Sequence, residues 1–206
     1  MIVNERITDY IHSLGKSQGP LLDSIEAEAR ETAALLRTMT AALGPSRILE
    51  IGTAVGYSAL LMCQVMPKDC HITTMEKFEK RIPIARENFK RAGETERITL
   101  LEGDAGALLK ELKGNTFQLI FMDAAKGQYL NWLPDVMELL SAGGVLISDN
   151  VLQEGDIVES RFAVERRNRT IHSRMREYLY ELTHRDDLET AIIPIGDGVA
   201  VSTRVK

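Results

Sequence analysis

The chain has 206 residues, 44% hydrophobic and 27% charged, the make-up of an ordinary globular protein with room for one substantial core. Lys and Arg total 25 against 30 Asp and Glu, a net charge of -5, which excludes a protein basic throughout. Residues Met1 to Arg6 lack a basic start before an apolar run, and no apolar stretch approaches the roughly 18 residues of a membrane span, so neither a signal peptide nor a membrane anchor is expected. Cys63 and Cys70 are the only cysteines and have no His cluster near them. They suggest neither a zinc site nor a disulfide framework, and they suit the reducing cytoplasm.

The first predicted element is a helix from Leu21 to Leu43, with Ile25, Ala29, Ala33, Leu36 and Met39 on one stripe and a stop at Gly44-Pro45. Strand-length apolar runs follow at Arg47 to Ile51, His71 to Glu76, Ile98 to Glu102, Phe117 to Met122 and Val145 to Ser148. Helical stretches separate them at Tyr57 to Met66, Arg81 to Ala92 and Tyr129 to Leu140, where Pro134 predicts a kink or a later start. A longer, Arg-rich helix is expected from Phe162 to Thr183. Two final runs, Ala191 to Ile195 and Val199 to Ser202, flank Gly196-Asp197-Gly198 and read as a hairpin. Strands alternating with helices predict one doubly wound α/β domain over residues 1–206. Its seven-stranded, mostly parallel sheet finishes antiparallel.

In such sheets ligands sit beyond the carboxyl ends of the strands. The first strand runs into Glu50-Ile51-Gly52-Thr53-Ala54-Val55-Gly56-Tyr57-Ser58, where glycines allow close approach of backbone to ligand and a helix start offers N–H groups. The Gly-x-x-x-Gly spacing differs from the Gly-x-Gly-x-x-Gly of dinucleotide binders, which counts against an NAD-dependent oxidoreductase. A tight strand–helix turn with no ligand is the plain alternative. Glu76 ends the second strand, 24 residues after Gly52, placed to accept both hydroxyls of a ribose, or else simply exposed. Asp104, followed by Ala105, ends the third; it suits an adenine amino group or a helix N-cap. The fourth strand ends in Asp123-Ala124-Ala125-Lys126 and the fifth in Asp149-Asn150. Asp123, Asp149 and Asn150 are hard oxygen donors of the kind Mg²⁺ takes, although Asp-Asn is also ordinary turn chemistry and Lys126 could be a solvated loop charge.

Taken together, these residues resemble the cation-dependent, S-adenosylmethionine (SAM)-dependent O-methyltransferases of the catechol and caffeoyl-CoA type. Glu50-x-Gly52-x-x-x-Gly56-Tyr57-Ser58 is similar to their cofactor loop, and Asp123-x-x-Lys126 and Asp149-Asn150 to their metal and catalytic motifs. Within that family, Asp123 to Tyr129, Asp149 to Leu152, the Arg-rich segment and the Ile-Pro-Ile-Gly-Asp-Gly ending look most like the bacterial tRNA 5-hydroxyuridine methyltransferases. The plant enzymes usually carry Asp where this chain has Ala125. The resemblance implies a Rossmann-like SAM methyltransferase fold and a homodimer. It implies SAM contacts from Leu22, Glu50, Gly52, Ser58, Glu76, Asp104, Ala105 and Asp123, and Mg²⁺ on Asp123, Asp149 and Asn150. It makes Lys126, with Asp123, the catalytic residue that takes the acceptor's proton or steadies its oxyanion.

The acceptor divides two expectations. The 5-hydroxyl and 4-oxo groups of 5-hydroxyuridine are vicinal oxygens, as in a catechol, so one site could serve tRNA or a small molecule. The 16 residues from Arg161 to Arg176 hold six arginines and one acid, Glu165. Arg166, Arg167 and Arg169 are the expected RNA contacts, since guanidiniums bind phosphates bidentately and stack on bases. A solvated basic face or a dimer interface would use the same composition. A cofactor-binding module without catalysis is the alternative of another class.

Overall fold

Alternation of buried side chains builds the sheet. In β1 (Arg47–Ile51), Ile48 packs on one face and Leu49 on the other; in β4 (Phe117–Met122), Leu119 and Phe121 face one way, Ile120 and Met122 the other. β5 (Leu140–Ser148) continues the pattern with Val145 and Ile147 against Leu146. A strand apolar on both faces needs cover on both, and helices supply it. The computed structural model describes residue 14, residues 19–25 and residues 30–206.

On one face lie α1 (Pro20–Ile25), α2 (Arg30–Leu43), α3 (Tyr57–Cys63) and α4 (Ile82–Ala92), with Leu36, Leu61 and Phe89 in the packing. On the other lie α5 (Ala105–Glu111), α6 (Tyr129–Leu139) and α7 (Arg169–His184), with Trp132, Val136, Met175 and Tyr178. With β2 (His71–Glu76), β3 (Ile98–Glu102), β6 (Leu188–Ile193) and β7 (Val199–Arg204), the sheet order is β3-β2-β1-β4-β5-β7-β6. The first five strands run parallel, and β7 is antiparallel to both its neighbours. The chain winds from β1 outward through β2 and β3, then returns to place β4 on β1's other side. The crevice at this reversal opens between the carboxyl ends of β1 and β4.

The expected architecture is therefore the observed one, with local corrections. Of the first helix, α1 and α2 are described; Ala29 of its expected stripe lies outside the described residues, as do Met1 to Arg6. α6 runs from Tyr129 with Pro134 inside it, without the later start that proline suggested. The Arg-rich helix starts at Arg169, seven residues later than expected. Residues 160–168 form turns closed by Asn168 N on Glu165 O at 2.8 Å, and Arg169 folds back onto the carbonyls of Val164 and Phe162, each at 3.1 Å. Of residues 160–168 only Val164 is buried, too little apolar cover to favour a helix there. Among the described residues no helix is long and apolar enough to cross a membrane.

Candidate active site

Two backbones meet at the crevice. Gly52 leaves β1 with φ +110°, and a side chain there would run into the backbone oxygen of Asp123 at the end of β4. The amide of Asp123 in turn donates to Ile51 O at 3.0 Å. Gly56, at φ +88°, turns the chain into α3 where a side chain would strike the Phe89 ring. Both glycines are dictated by backbone conformation and by contact, whatever else the loop binds.

Below the loop, Glu50 is completely buried. Ser58 Oγ and Thr74 Oγ1 donate to its two carboxyl oxygens, and Thr53 and Thr74 hydroxyls lie 2.6 Å apart. Burial pushes the Glu50 carboxyl up to about 7, against the pull of both hydroxyls. Glu76 ends β2 with a carboxylate gripped by backbone: Ala54 N at 2.9 Å on Oε2, Lys77 N at 3.0 Å and Phe78 N at 2.8 Å on Oε1. Asp104 caps α5, Oδ1 accepting from Gly106 N at 3.0 Å, while Oδ2 stands 3.6 Å from Lys77 Nζ. Ala105 is the first residue of that helix. Leu22 on α1 has its side chain buried in the apolar cluster with Leu60 and Leu61.

Across the crevice stand Asp123 and Asp149. Asp123 is open to solvent at the rim, yet the protein crowding around it raises its carboxyl above the usual range, with Lys126 and Arg81 opposing. Asp149 is buried, and burial pushes its carboxyl up to about 6; the Asn150 N–H opposes this and the Asp123 charge adds to it. Its Oδ1 accepts from Asn150 N at 2.7 Å and from Thr32 Oγ1 of α2 at 3.3 Å. Asn150 sits at φ +55°, a left-handed conformation that asparagine tolerates. The Tyr129 hydroxyl ties the two strand ends together, donating toward Met122 O at 3.0 Å and Asp149 O at 3.3 Å and accepting from Ala124 N at 3.2 Å. Among the described residues no three His, Cys, Asp or Glu side chains form a metal cluster; the hard-oxygen set here is two carboxylates and an amide.

Lys126 begins a 3₁₀ turn to Gln128, and its Nζ donates to Asp197 Oδ2 at 3.1 Å. Asp197 lies in the β6–β7 turn; its Oδ1 accepts from Glu154 N and its carbonyl from Leu152 N at 2.9 Å. The arginines have unequal occupations. Arg174 donates to Gly127 O at 2.9 Å, Arg176 to Ile157 O at 3.1 Å, and Arg167 pairs with Glu165 at 2.7 Å. Arg161, Arg166 and Arg167 are exposed. Arg169, spent on two carbonyls, is the least available of the expected RNA contacts.

Every expected strand-end residue thus reaches the same edge of the sheet. Sequence reading missed Thr32, Thr74 and Tyr129, and took Asp197 only as part of a turn. Tyr129 closes the Asp123-to-Tyr129 run and so carried some signal; Thr32 carried none.

An O-methyltransferase family model matches residues 14–205, nearly the whole chain. The chain belongs to the O-methyltransferase family. A caffeoyl-CoA O-methyltransferase of Eucalyptus gunnii is 31% identical over 170 residues, covering 77% of this chain and 66% of that protein. A catechol O-methyltransferase of Niastella koreensis is 32% identical over 115 residues, 54% of this chain and 52% of its own. The chain thus spans about two thirds or less of the length of these curated relatives. The structure of an SAH-bound methyltransferase from Podospora anserina superposes with a TM-score of 0.84 at 26% identity, covering 97% of this chain and 94% of that one. Family membership counts against the NAD-dependent oxidoreductase.

Proposed function

We propose that this O-methyltransferase moves the methyl group of SAM to one of two vicinal oxygens, and that its acceptor is 5-hydroxyuridine at the wobble position of tRNA, giving 5-methoxyuridine. The reading rests on one observation: Glu50, Gly52, Glu76 and Asp104 share a sheet edge with Asp123, Lys126, Asp149 and Asn150. Of the first group Glu76 and Asp104 offer acceptors that suit a nucleoside, above the buried Glu50 and beside the Gly52 turn. The second holds charge and suits an ionising hydroxyl.

Asp123, Asp149 and Asn150 would hold a divalent cation such as Mg²⁺. The fit is chemical: two crowded carboxylates, Asp149 lifted partly by the Asp123 charge, beside a side-chain amide form a hard-oxygen set whose repulsion a cation relieves. When bound, SAM supplies an electrophilic methyl and the cation supplies Lewis acidity toward the acceptor oxygens. The protein does the remaining work. Tyr129 fixes the spacing of the two strand ends, and the Gly52 turn admits the donor closely. Released from Asp197, Lys126 Nζ takes the acceptor's proton as the neutral amine or steadies its oxyanion as the ammonium. Alignment of oxygen, methyl and sulfur is the main contribution of such a site.

For tRNA the support is Arg161, Arg166 and Arg167, exposed on the segment leading into α7, the helix that grips the Lys126 turn through Arg174. A small catechol-like acceptor is the second reading, favoured by the named activities of the plant and bacterial relatives. We propose a homodimer in the cytoplasm, checked by light scattering. Mass spectrometry of nucleosides from tRNA bearing 5-hydroxyuridine tests the acceptor. 5-Methoxyuridine is expected, with Arg166→Ala/Arg167→Ala lowering tRNA affinity and the salt slope by roughly one for each lost phosphate contact. Strong preference for a catechol, indifferent to those substitutions, would reject tRNA.

A further inference from the structure

α7 borders a concave site outside the strand-end crevice, which shares Arg161 with the tRNA contacts proposed above. A cavity of about 370 Å³ is lined by Ser160, Arg161, His172, Ser173 and Arg176, within the roughly 300–1,000 Å³ of small-molecule sites. The lining holds two guanidiniums, an imidazole and two hydroxyls, and no carboxylate. His172 decides its reading. The ring is 2% exposed, and neither Nδ1 nor Nε2 has a hydrogen-bond partner. A buried imidazole needs a partner on each nitrogen, and when the protein provides none a bound group is the natural one.

The other residues are set for an anion. Arg176 uses Nη1 on the carbonyls of Ile157 at 3.1 Å and Glu159 at 3.4 Å, which anchors the fork while two of its nitrogens remain for a ligand. Ser160 Oγ accepts from Ala163 N at 3.3 Å and keeps its own proton to donate. Arg161 is exposed and makes no ion pair with a described residue. Ser173 Oγ already donates to Arg169 O at 3.0 Å and contributes least. At 100° per residue, His172, Ser173 and Arg176 share one side of α7, while Ile171 and Arg174, which meet the Gly127 turn, lie on the other.

We propose that this cavity is a phosphate-binding site, separated by α7 from the methyl-transfer centre. Donors from a turn and a helix converge on one volume, as a tetrahedral oxyanion requires, and guanidinium forks are the side chains best matched to phosphate. The site stands whether or not tRNA is the acceptor. A free phosphate, a small phosphorylated molecule and a polynucleotide backbone all present the same group.

The test follows the ring resonances of His172 in the full chain, assigned by their loss in His172→Gln, as inorganic phosphate is added. A saturable shift is expected, with affinity about tenfold weaker in Arg161→Ala, a substitution at an exposed position. Competition by oligouridylate assigns the group to a polynucleotide backbone. Competition by adenosine 3′,5′-bisphosphate alone assigns it to a small monoester. Either upholds the site. No saturable shift, equal displacement by chloride, or affinity unchanged in both Arg161→Ala and Arg176→Lys overturns it. Because the readout is not activity, failure of tRNA methylation would leave the result intact, and the two readings fail separately.

Discussion

The two sides of the crevice hold their polar groups in different ways. On the β2 side the groups are gripped by the fold itself: three backbone N–H groups close on Glu76, one N–H caps onto Asp104, and two hydroxyls close on Glu50. On the β5 side the grip is mixed: Lys126 pairs with Asp197, while Asp149, raised partly by the neighbouring Asp123 charge, is held by one backbone N–H and the Thr32 hydroxyl. Backbone grips persist whatever binds, whereas charge pairs exchange partners. On the function proposed above, the donor half is therefore a template formed in advance, and the acceptor half is a set of contacts that substrate and cation would rearrange.

Four substitutions break or sharpen that contrast. Gly52→Ala strikes where the halves touch. At φ +110°, with Asp123 O in the way, it should cost about 3 kcal/mol or more and take SAM binding with it, read by chemical denaturation and calorimetry. Asp149→Ala should lower methyl transfer by about 100-fold or more, roughly 3 kcal/mol of barrier, while SAM still binds. Full activity of that variant in a chelator would reject the cation reading.

Glu50→Gln tests the template's cost. The carboxyl titrates near 7 when folded and near 4.5 when free. Between those values the folded chain keeps a proton that the unfolded chain has lost. Stability should therefore fall as pH rises from 4.5 to 7, by up to about 3 kcal/mol, and Glu50→Gln should flatten the slope. Denaturation midpoints at pH 5 and 8 in both proteins provide the check. The smallest effect belongs to Asp197→Asn. Its ion pair with Lys126 is partly exposed, so about 0.5 kcal/mol of stability should go, with a few-fold lower kcat and unchanged SAM affinity.

Legibility followed the same division. Strand-length apolar runs and the turn residues Gly52, Gly56 and Gly196 located the sheet and its ligand-facing edge, because apolar patterning and positive φ are local demands. The Asp104 cap was also visible, being a local motif. Thr32 and Asp149 are 117 positions apart, and nothing near either announces that they bond. Lys126 and Asp197 are 71 apart. The Arg-rich stretch misled on its helix start because composition signals charge but not which guanidiniums the chain's own carbonyls will claim. Trp132 of α6 is buried in the core, against the start of α5.

β7 is the last strand in sequence, yet it lies inside the sheet, between β5 and β6. During synthesis the donor loop and both acidic strand ends leave the ribosome before the strand that must slot in beside them. Until residues 199–204 arrive, β5 has an open edge, Val151 N lacks the Gly198 carbonyl, and Lys126 lacks Asp197. The acceptor half is thus completed last, and a nascent chain stalled before β7 carries a donor template beside an exposed strand edge that invites pairing with another chain.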